Sequence, residues 1–202
     1  HPLSERRQRL EDLLARPPAP ALTLSPRLDN RSWESLAALR AEARSQAAEG
    51  LMLKHEASAY ESGRRHQSWW KWKLDPETVD AILLYAQPGH GRRANLYTDF
   101  TFAVWDQGSL VPLAKAYSGL DEGTLERLDH WIRRNTKERF GPVRALTPAL
   151  VFELAFDSAH PAPRRKAGMA LRFPRIHRWR EDLAIEDADE LALLKARLLP
   201  HG

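Results

Sequence analysis

The chain has 202 residues, of which 43% are hydrophobic and 29% are charged, and its formal net charge is +4 at pH 7. This composition is typical of a soluble globular protein, and the length allows one large domain or two small ones. The chain contains no cysteine, which excludes disulfides and thiolate-bound metals. No apolar run approaches the roughly 20 residues that cross a bilayer and no signal peptide is evident, so we expect a cytoplasmic protein without membrane contacts.

Two helices are predicted in the first third of the chain. Ser4 is suited to cap the first helix, which ends before the proline-rich residues 17–20. Asn30 or Ser32 caps the second helix, in which apolar residues recur at the spacing that faces a core. These apolar residues are Trp33, Leu36 and Leu39. Residues 22–25, between the helices, are predicted to form a strand.

Two short strands that carry charge at their edges follow, at residues 49–54 and 69–74. Side chains alternate along a strand, so Lys71 and Lys73 project from one face with their ammonium groups roughly 7 Å apart. That spacing suits a phosphate, and Glu49 at the start of the neighbouring strand suits a divalent cation such as Mg²⁺. The pattern therefore indicates a nucleotide site, although alternating Trp and Lys is also typical of any half-buried strand.

The pair Asp75-Pro76 is the predicted domain boundary, because proline disfavours continuation of the preceding strand and fixes a bend. The residues that follow predict three strands, a helix and two more strands, which is the order of an OB barrel. These elements span residues 79–86, 96–105, 110–117, 121–140, 150–156 and 169–173. A last helix, from about residue 186 to residue 199, is predicted to cap the barrel.

Charge is distributed unevenly towards the end of the chain. Seven basic residues lie between positions 164 and 180 with no acidic residue among them, and six acidic residues follow between positions 181 and 190. A basic block of this kind favours a surface that binds polyanions, next to a solvated helix. The alternative is that the two blocks pair with each other across a turn.

Three segments resemble sequence motifs of the ATP-dependent DNA ligases of the bacterial type, and they occur in the family's order. Residues 49–54, Glu-Gly-Leu-Met-Leu-Lys, are similar to motif IV, and residues 64–73 are similar to motif V. Residues 172–182 are similar to the ligase form of motif VI. The resemblance extends over residues 2–199, and residues 2–7 are themselves similar to a segment that precedes motif IV in cellular and bacterial ligases.

The resemblance implies an α+β chain in two parts. Residues 1–74 would be the C-terminal part of a nucleotidyltransferase (adenylation) domain, and residues 75–202 an OB-fold β-barrel that binds DNA, followed by a C-terminal helix. The family attacks ATP with the lysine of a Lys-x-Asp-Gly sequence, which does not occur in these 202 residues. We therefore expect a fragment of a longer ligase, inactive by itself, whose missing N-terminal part carries that lysine.

The resemblance also implies roles for the charged residues of motifs IV and V. The family seals nicks through an enzyme-AMP and a DNA-adenylate intermediate, and every step displaces a group at phosphorus. By this likeness Glu49 would help to hold the divalent metal. Lys71 and Lys73 would contact the α-phosphate of ATP and of the AMP intermediate.

Motif VI implies a second group of catalytic and cofactor-binding residues. Arg180 and Asp182 would orient the pyrophosphate that leaves in the first step. Arg175 and Arg178, in the same basic run, would add contacts to ATP. Ligases commonly have lysine where this chain has Leu183, so one contact to the ATP tail is expected to be missing.

The barrel is expected to bind nicked duplex DNA, and the whole protein to act as a monomer. The basic residues expected to contact phosphates are Arg92, Arg93, Lys115, Arg164, Arg165 and Lys166. If four to six phosphates are neutralised, log affinity falls with log salt at a slope of roughly −4 to −5. Such contacts position a duplex without reading its sequence.

Two other functions stay open at this level. RNA ligases and capping enzymes share motifs IV and V, although residues 172–175 argue for the DNA enzyme. A non-catalytic OB-fold module that binds nucleic acid would explain the absent lysine. The sequence does not distinguish DNA replication from recombination or DNA repair.

Overall fold

The computed structural model describes residues 1–15, 21–28, 32–46, 48–63, 67–89, 91, 94–117 and 119–199. The chain divides into two compact units, His1–Asp75 and Pro76–Gly202. Within the described ranges, no helix is long and apolar enough to span a membrane.

The first unit contains two helices and one pair of strands. Its elements are α1 (Leu3–Leu14), α2 (Trp33–Glu42), a 3-10 turn (Ala43–Gln46), β1 (Gly50–Lys54) and β2 (Trp69–Lys73). The two helices and the antiparallel pair of β1 with β2 are confirmed. The predicted strand at residues 22–25 is wrong, because the two-stranded sheet of this unit offers no ladder there.

The starts of the two helices follow different rules. The hydroxyl of Ser32 accepts a hydrogen bond from the backbone N–H of Ser35 at 3.1 Å, which confirms it as the cap of α2. Helix α1 instead begins at Leu3, with Pro2 at the N-cap and no side-chain capping bond, so the predicted cap at Ser4 is wrong. The other predicted cap, Asn30, and the proline-rich residues 17–20 lie outside the described residues.

The apolar residues of the first unit are poorly covered. Ala43 is the one apolar residue among the described part of His1–Asp75 that is fully buried. Trp33 was predicted to face a core but is 67% exposed, and its ring meets Trp72 edge-on at 5.9 Å between centroids. Leu36 and Leu39 are half-buried. The helical spacing is therefore correct, but the unit has little core for it to face.

The second unit is an antiparallel sheet that curls into an OB fold, with a C-terminal helix. Its strands are β3 (Glu77–Pro88), β4 (Tyr97–Asp106), β5 (Ser109–Ala116), β6 (Thr136–Phe140), β7 (Val143–Leu146), β8 (Val151–Phe156), β9 (Ser158–Pro161), β10 (Met169–Arg172) and β11 (Arg175–Trp179). Its helices are α3 (Glu122–Arg134) and α4 (Leu191–Leu198). The main sheet has the order β11-β8-β3-β4-β5, and β9 pairs with β10. The predicted OB fold is confirmed.

This unit has a continuous apolar core. Phe100, Phe102, Phe152 and Phe156 are at most 2% exposed and pack in one cluster, which the buried side of α3 also joins. Burial of whole aromatic side chains is the main stabilising contribution available to a domain of this size.

Two predicted helix boundaries need correction, and four of the nine strands described in this unit were not predicted. Helix α3 ends at Arg134 instead of residue 140, because residues 136–140 turn back at Gly141 and pair with β7. The last helix begins at Leu191 instead of residue 186, since residues 185–187 form a 3-10 turn. Strands β6, β7, β9 and β11 were not predicted, and the basic residues of motif VI hid the alternation of β11.

Candidate active site

The register of β1 and β2 brings the charged residues of motifs IV and V together. Gly50 lies opposite Lys73, and Met52 lies opposite Lys71. Just before β1, the carboxylate of Glu49 lies 3.2 Å from the ammonium group of Lys73. The predicted acid and lysine therefore occupy one end of a single strand pair.

Gly50 makes this close approach possible. Its φ is +136°, a backbone conformation that side chains disfavour. A Cβ at this position would lie 2.3 Å from the carbonyl oxygen of Trp72 and 2.7 Å from the Cα of Lys73. Glycine is thus required if β1 is to start directly against the end of β2, which is where Glu49 meets Lys73.

One face of β2 is positively charged and accessible to solvent. Lys71 and Lys73 are exposed, and strand alternation places them on this face together with Trp69. The ammonium group of Lys54 lies 4.2 Å from the centroid of the Trp69 ring, which adds a third cation beside the two lysines. For Lys71 no ion pair is present among the residues that the structure describes.

The opposite face of β2 is attached to α2. The guanidinium of Arg40 lies 5.4 Å from the centroid of the Trp72 ring, and its Nε donates to the carbonyl oxygen of Lys73 at 2.8 Å. The end of β2 is therefore held by α2 on the face opposite its lysine side chains.

The arginines of motif VI are placed along β11 and are ion-paired. Arg175 donates to Asp157 at 3.1 Å, and Arg178 donates to Glu153 at 3.0 Å. Both acids belong to β8 or to the residue after it, so they come from a neighbouring strand and not from the acidic block at positions 181–190. Arg175 and Arg178 are thus ion-paired with acids of the barrel itself.

Arg180 has the most extensive set of partners. Its Nη1 donates to both carboxylate oxygens of Asp80, at 3.0 and 2.8 Å. Its Nε and Nη2 donate to Asp182 at 2.9 and 2.8 Å, and Glu153 lies 3.6 Å away. Only 14% of the Arg180 side chain is exposed. Arg180 and Asp182, both singled out from the sequence, therefore lie together in the structure, with Asp80 as an additional partner.

The pKa values of the two carboxyls that hold Arg180 are shifted in opposite directions. Hydrogen bonds from Arg180 lower the pKa of the exposed Asp182 carboxyl to about 2. Burial raises the pKa of Asp80, and Asp189 and Glu153 nearby add to this, while Arg180 opposes it. Hydrogen bonding to Asp182 raises the pKa of Arg180 itself, so this side chain is cationic under all ordinary conditions. Burial is therefore the reason that the pKa of Asp80 is raised while the pKa of the exposed Asp182 is lowered.

Asp80 and Glu153 were not singled out from the sequence. Each lies between two apolar residues of its strand: Asp80 between Val79 and Ala81, and Glu153 between Phe152 and Leu154. Charged residues are rare at such positions unless they are paired. An acid between apolar strand residues could therefore have indicated an ion pair inside the barrel.

The residues predicted to contact DNA are scattered over the barrel. Lys115 on β5 is exposed and lies 4.0 Å from Asp99. Arg164, Arg165 and Lys166 form an exposed loop between β9 and β10. Arg92 and Arg93 lie outside the described residues.

No group of three or more acidic or histidine side chains within the described ranges converges as a metal site. Mg²⁺ in nucleotide enzymes is commonly held by one or two carboxylates together with phosphate oxygens and water. Glu49, a part-exposed carboxylate beside Lys73, fits that donor set as a single protein ligand.

Two family models match the chain, one on each unit. The model described as ATP dependent DNA ligase domain matches residues 1–73, and the model described as ATP dependent DNA ligase C terminal region matches residues 93–183. Similar solved structures include a Lig E DNA ligase, with a TM-score of 0.64 and 20% identity over 89% of this chain and 59% of that chain. The ligase domain of M. tuberculosis LigD has a TM-score of 0.50 and 22% identity over 92% of this chain and 59% of that chain.

Curated relatives agree with these matches. A probable DNA ligase of Koribacter versatilis is 41% identical over 79% of this chain and 28% of its own length. A DNA ligase of Natronomonas pharaonis is 37% identical over 94% of this chain and 34% of its own length. The chain therefore spans about a quarter to a third of the length of these relatives. The motifs, the fold and the matches on both units show that the chain belongs to the ATP-dependent DNA ligase family.

Proposed function

We propose that this chain is the part of an ATP-dependent DNA ligase that supplies phosphate contacts, a metal ligand and the DNA-binding barrel for sealing nicks in duplex DNA. The observation that carries the proposal is the β1–β2 register, which places Glu49 at 3.2 Å from Lys73 with Lys71 on the same face. Residues 1–74 complete an adenylation domain, and residues 75–202 are the OB-fold domain. The nucleophilic lysine comes from a further segment of the protein.

The proposed reaction has three displacements at phosphorus. The lysine amine attacks the α-phosphorus of ATP and releases pyrophosphate; the 5′-phosphate of the nick then takes the AMP from the lysine. Finally the 3′-hydroxyl attacks the activated phosphate and AMP leaves. In each step charge builds up on non-bridging oxygens, and positioned cations stabilise it.

Lys71 and Lys73 are suited to this work because they are cationic, exposed and fixed on one strand face. They contact the α-phosphate in all three steps. Glu49, whose carboxylate lies 3.2 Å from the Lys73 ammonium, would hold the divalent cation, which would neutralise phosphate charge.

Motif VI acts in the first step. Arg180, with Asp182, orients the leaving pyrophosphate, and Arg175 and Arg178 add positive charge. Leu183, which replaces the usual lysine, packs against a small apolar cluster around Ile82 and contributes nothing to this group. The tail of ATP is therefore bound through arginines alone at this end of the motif.

The barrel binds the duplex around the nick through phosphate contacts. The exposed loop of Arg164, Arg165 and Lys166 and the exposed Lys115 are the described basic residues suited to it. Such binding weakens with salt and is independent of sequence. The protein acts as a monomer in the cytoplasm.

The test uses the full-length protein that carries this chain. Lys71→Ala and Lys73→Ala are expected to lower nick sealing by roughly 100-fold or more, because each removes a cation from the reacting phosphate. Binding to nicked duplex should change little, since one phosphate contact among several is lost. Lys137→Ala, at an exposed lysine of β6, is the matched control and should seal like the wild type.

Sealing by Lys73→Ala at the wild-type rate would overturn the proposal and leave a non-catalytic binding module. Nicks with a ribonucleotide at the 3′ end separate the remaining alternative. A strong preference for them over all-DNA nicks would assign the chain to an RNA-joining enzyme.

A further inference from the structure

Arg180 lies at the end of a row of charges that crosses three strands of the barrel. Asp80 on β3 is the register partner of Glu153 on β8, and Glu153 is the register partner of Arg178 on β11. Arg180 follows β11 directly, and its backbone N–H donates to the carbonyl of Val151 on β8 at 2.9 Å. Its guanidinium is thus placed by the sheet and not by a free loop.

The two carboxylates that hold Arg180 differ in how firmly they are held themselves. Asp80 is 24% exposed, whereas Asp182 is 64% exposed. The backbone N–H of Asp80 donates to the carboxylate of Asp189 at 2.9 Å, and its carbonyl accepts from the Asp189 N–H at 2.9 Å. Asp80 is therefore anchored on both sides, while Asp182 sits on an exposed turn only two positions after Arg180.

The guanidinium edges are divided between these partners. Asp80 occupies Nη1 with both of its oxygens, and Asp182 occupies the edge formed by Nε and Nη2. A planar guanidinium can offer such an edge to two oxygens of a phosphate as readily as to a carboxylate. An incoming polyphosphate can displace a solvent-exposed carboxylate at low cost, because water then hydrates the released carboxylate. Displacing a less exposed carboxylate costs more, because water does not reach it as easily.

We propose that Asp80 is a positioning residue for the adenylation step: it anchors Arg180 through Nη1, so that the Nε–Nη2 edge is the one that exchanges Asp182 for oxygens of the ATP tail. This inference rests on the function proposed above and assigns a role to a residue outside the three motifs. Asp80 touches no substrate and acts through Arg180. Asp182 then covers the phosphate-binding edge when no nucleotide is bound.

Asp80→Asn in the full-length protein tests the inference. The variant keeps the size of the side chain but loses the charge that holds Nη1. With ATP varied, the KM for formation of the enzyme-AMP adduct is expected to rise about 10- to 100-fold, the usual range for a hydrogen bond to a charged group. Sealing of a nick that already carries AMP should change less than about threefold, since no pyrophosphate leaves in that step.

Asp129→Asn is the matched control. Asp129 is 5% exposed and is ion-paired with Arg133 at 2.6 Å in the same unit, so its loss also removes a charged partner in the barrel. We expect reduced thermal stability for this variant, with an unchanged KM for ATP at a temperature where the protein is folded.

Each of the following outcomes would overturn the inference. An Asp80→Asn variant that loses both steps equally, in proportion to its folded fraction, would show a structural role only. A lower KM for ATP would show that Asp80 withholds Arg180 from the nucleotide. If Asp80→Asn does not fold, Asp80→Glu keeps the charge but displaces the guanidinium, and an unchanged KM for ATP in that variant would also contradict positioning.

If the proposed ligase function itself is wrong, the same experiments give a different result. In that case the wild-type protein itself forms no enzyme-AMP adduct and seals no nick of either kind. A wild type that is active in both assays, together with an unaffected Asp80→Asn variant, rejects only the role of Asp80.

Discussion

The two units of this chain position their charged residues by different means. The barrel of Pro76–Gly202 has a continuous apolar core, and its charged row lies on three adjacent strands above that core. In the described part of His1–Asp75 only Ala43 among the apolar residues is buried, and Met52, Trp69 and Trp70 are each 43 to 48% exposed. There the lysines depend on one strand pair and on the helix behind it. Geometry at the motif IV and V residues thus depends on a few backbone contacts, and geometry at motif VI depends on a whole domain.

The largest expected effect that separates the units is on stability. Phe102 is 0% exposed and packs against Phe152 at 5.5 Å between ring centroids. Phe102→Ala is expected to lower the free energy of unfolding of the barrel by about 3–5 kcal/mol, through lost burial and the cavity left behind. Trp70→Ala, at a residue 48% exposed on β2, should change that same unfolding transition by less than about 0.5 kcal/mol.

Urea unfolding of both variants, followed by circular dichroism, measures this difference. If Phe102→Ala and Trp70→Ala lowered the free energy of unfolding equally, the contrast between a unit with a continuous apolar core and a unit with little core would be contradicted.

A smaller effect is expected at Gly50, where the position of β1 depends on a close backbone contact with β2 and not on a buried core. Gly50→Ala places a Cβ within 2.3 Å of a carbonyl oxygen and strains φ, at a cost of order 1–3 kcal/mol. The start of β1 should move away from β2 and carry Glu49 away from Lys73, so formation of the enzyme-AMP adduct should slow.

Gly63→Ala is the control for backbone strain alone. Gly63 also has a positive φ, +78°, but a Cβ there would have no atom within 4 Å. Adduct formation measured in the full-length protein should therefore fall much further for Gly50→Ala than for Gly63→Ala. Equal rates would mean that the close approach of the two strands is not needed.

The smallest effect is a pH dependence at motif VI. Arg180 lowers the pKa of Asp182 to about 2 in the folded protein, below the ordinary value of 3.8. A lowered carboxyl pKa contributes stability that is fully present above the ordinary value and is lost as the pH falls from about 4 towards 2. Because Asp182 is 64% exposed, solvent screens the interaction and the contribution is small.

Acid unfolding of the wild type and of Asp182→Asn measures this contribution. The variant should be the less stable protein at neutral pH, and the difference should shrink between pH 4 and pH 2. The contribution of Asp80 to the pH dependence of stability has the opposite sign, because its raised pKa favours the protonated carboxyl in the folded state. A difference between wild type and Asp182→Asn that grows on acidification would contradict the assigned pairing.

Several features were predictable because they depend on neighbouring residues. The strands β1 and β2, the cap at Ser32 and the order of elements in the barrel follow from side-chain alternation, capping chemistry and turn residues. The common face of Lys71 and Lys73 follows from strand alternation in the same way. The end of α3 was missed, because residues 136–140 keep helix-compatible composition and become a strand only by pairing with β7.

By itself the sequence determined the motifs, the family and the charged residues that we propose to serve a nucleotide. Only the tertiary structure decided which charges face one another. Arg180 and Asp80 are 100 positions apart, and their ion pair exists because β8 lies between β3 and the end of β11. Periodicity is a property of a few successive residues, whereas the partner of a charge is chosen by strand order and register, which depend on the whole barrel.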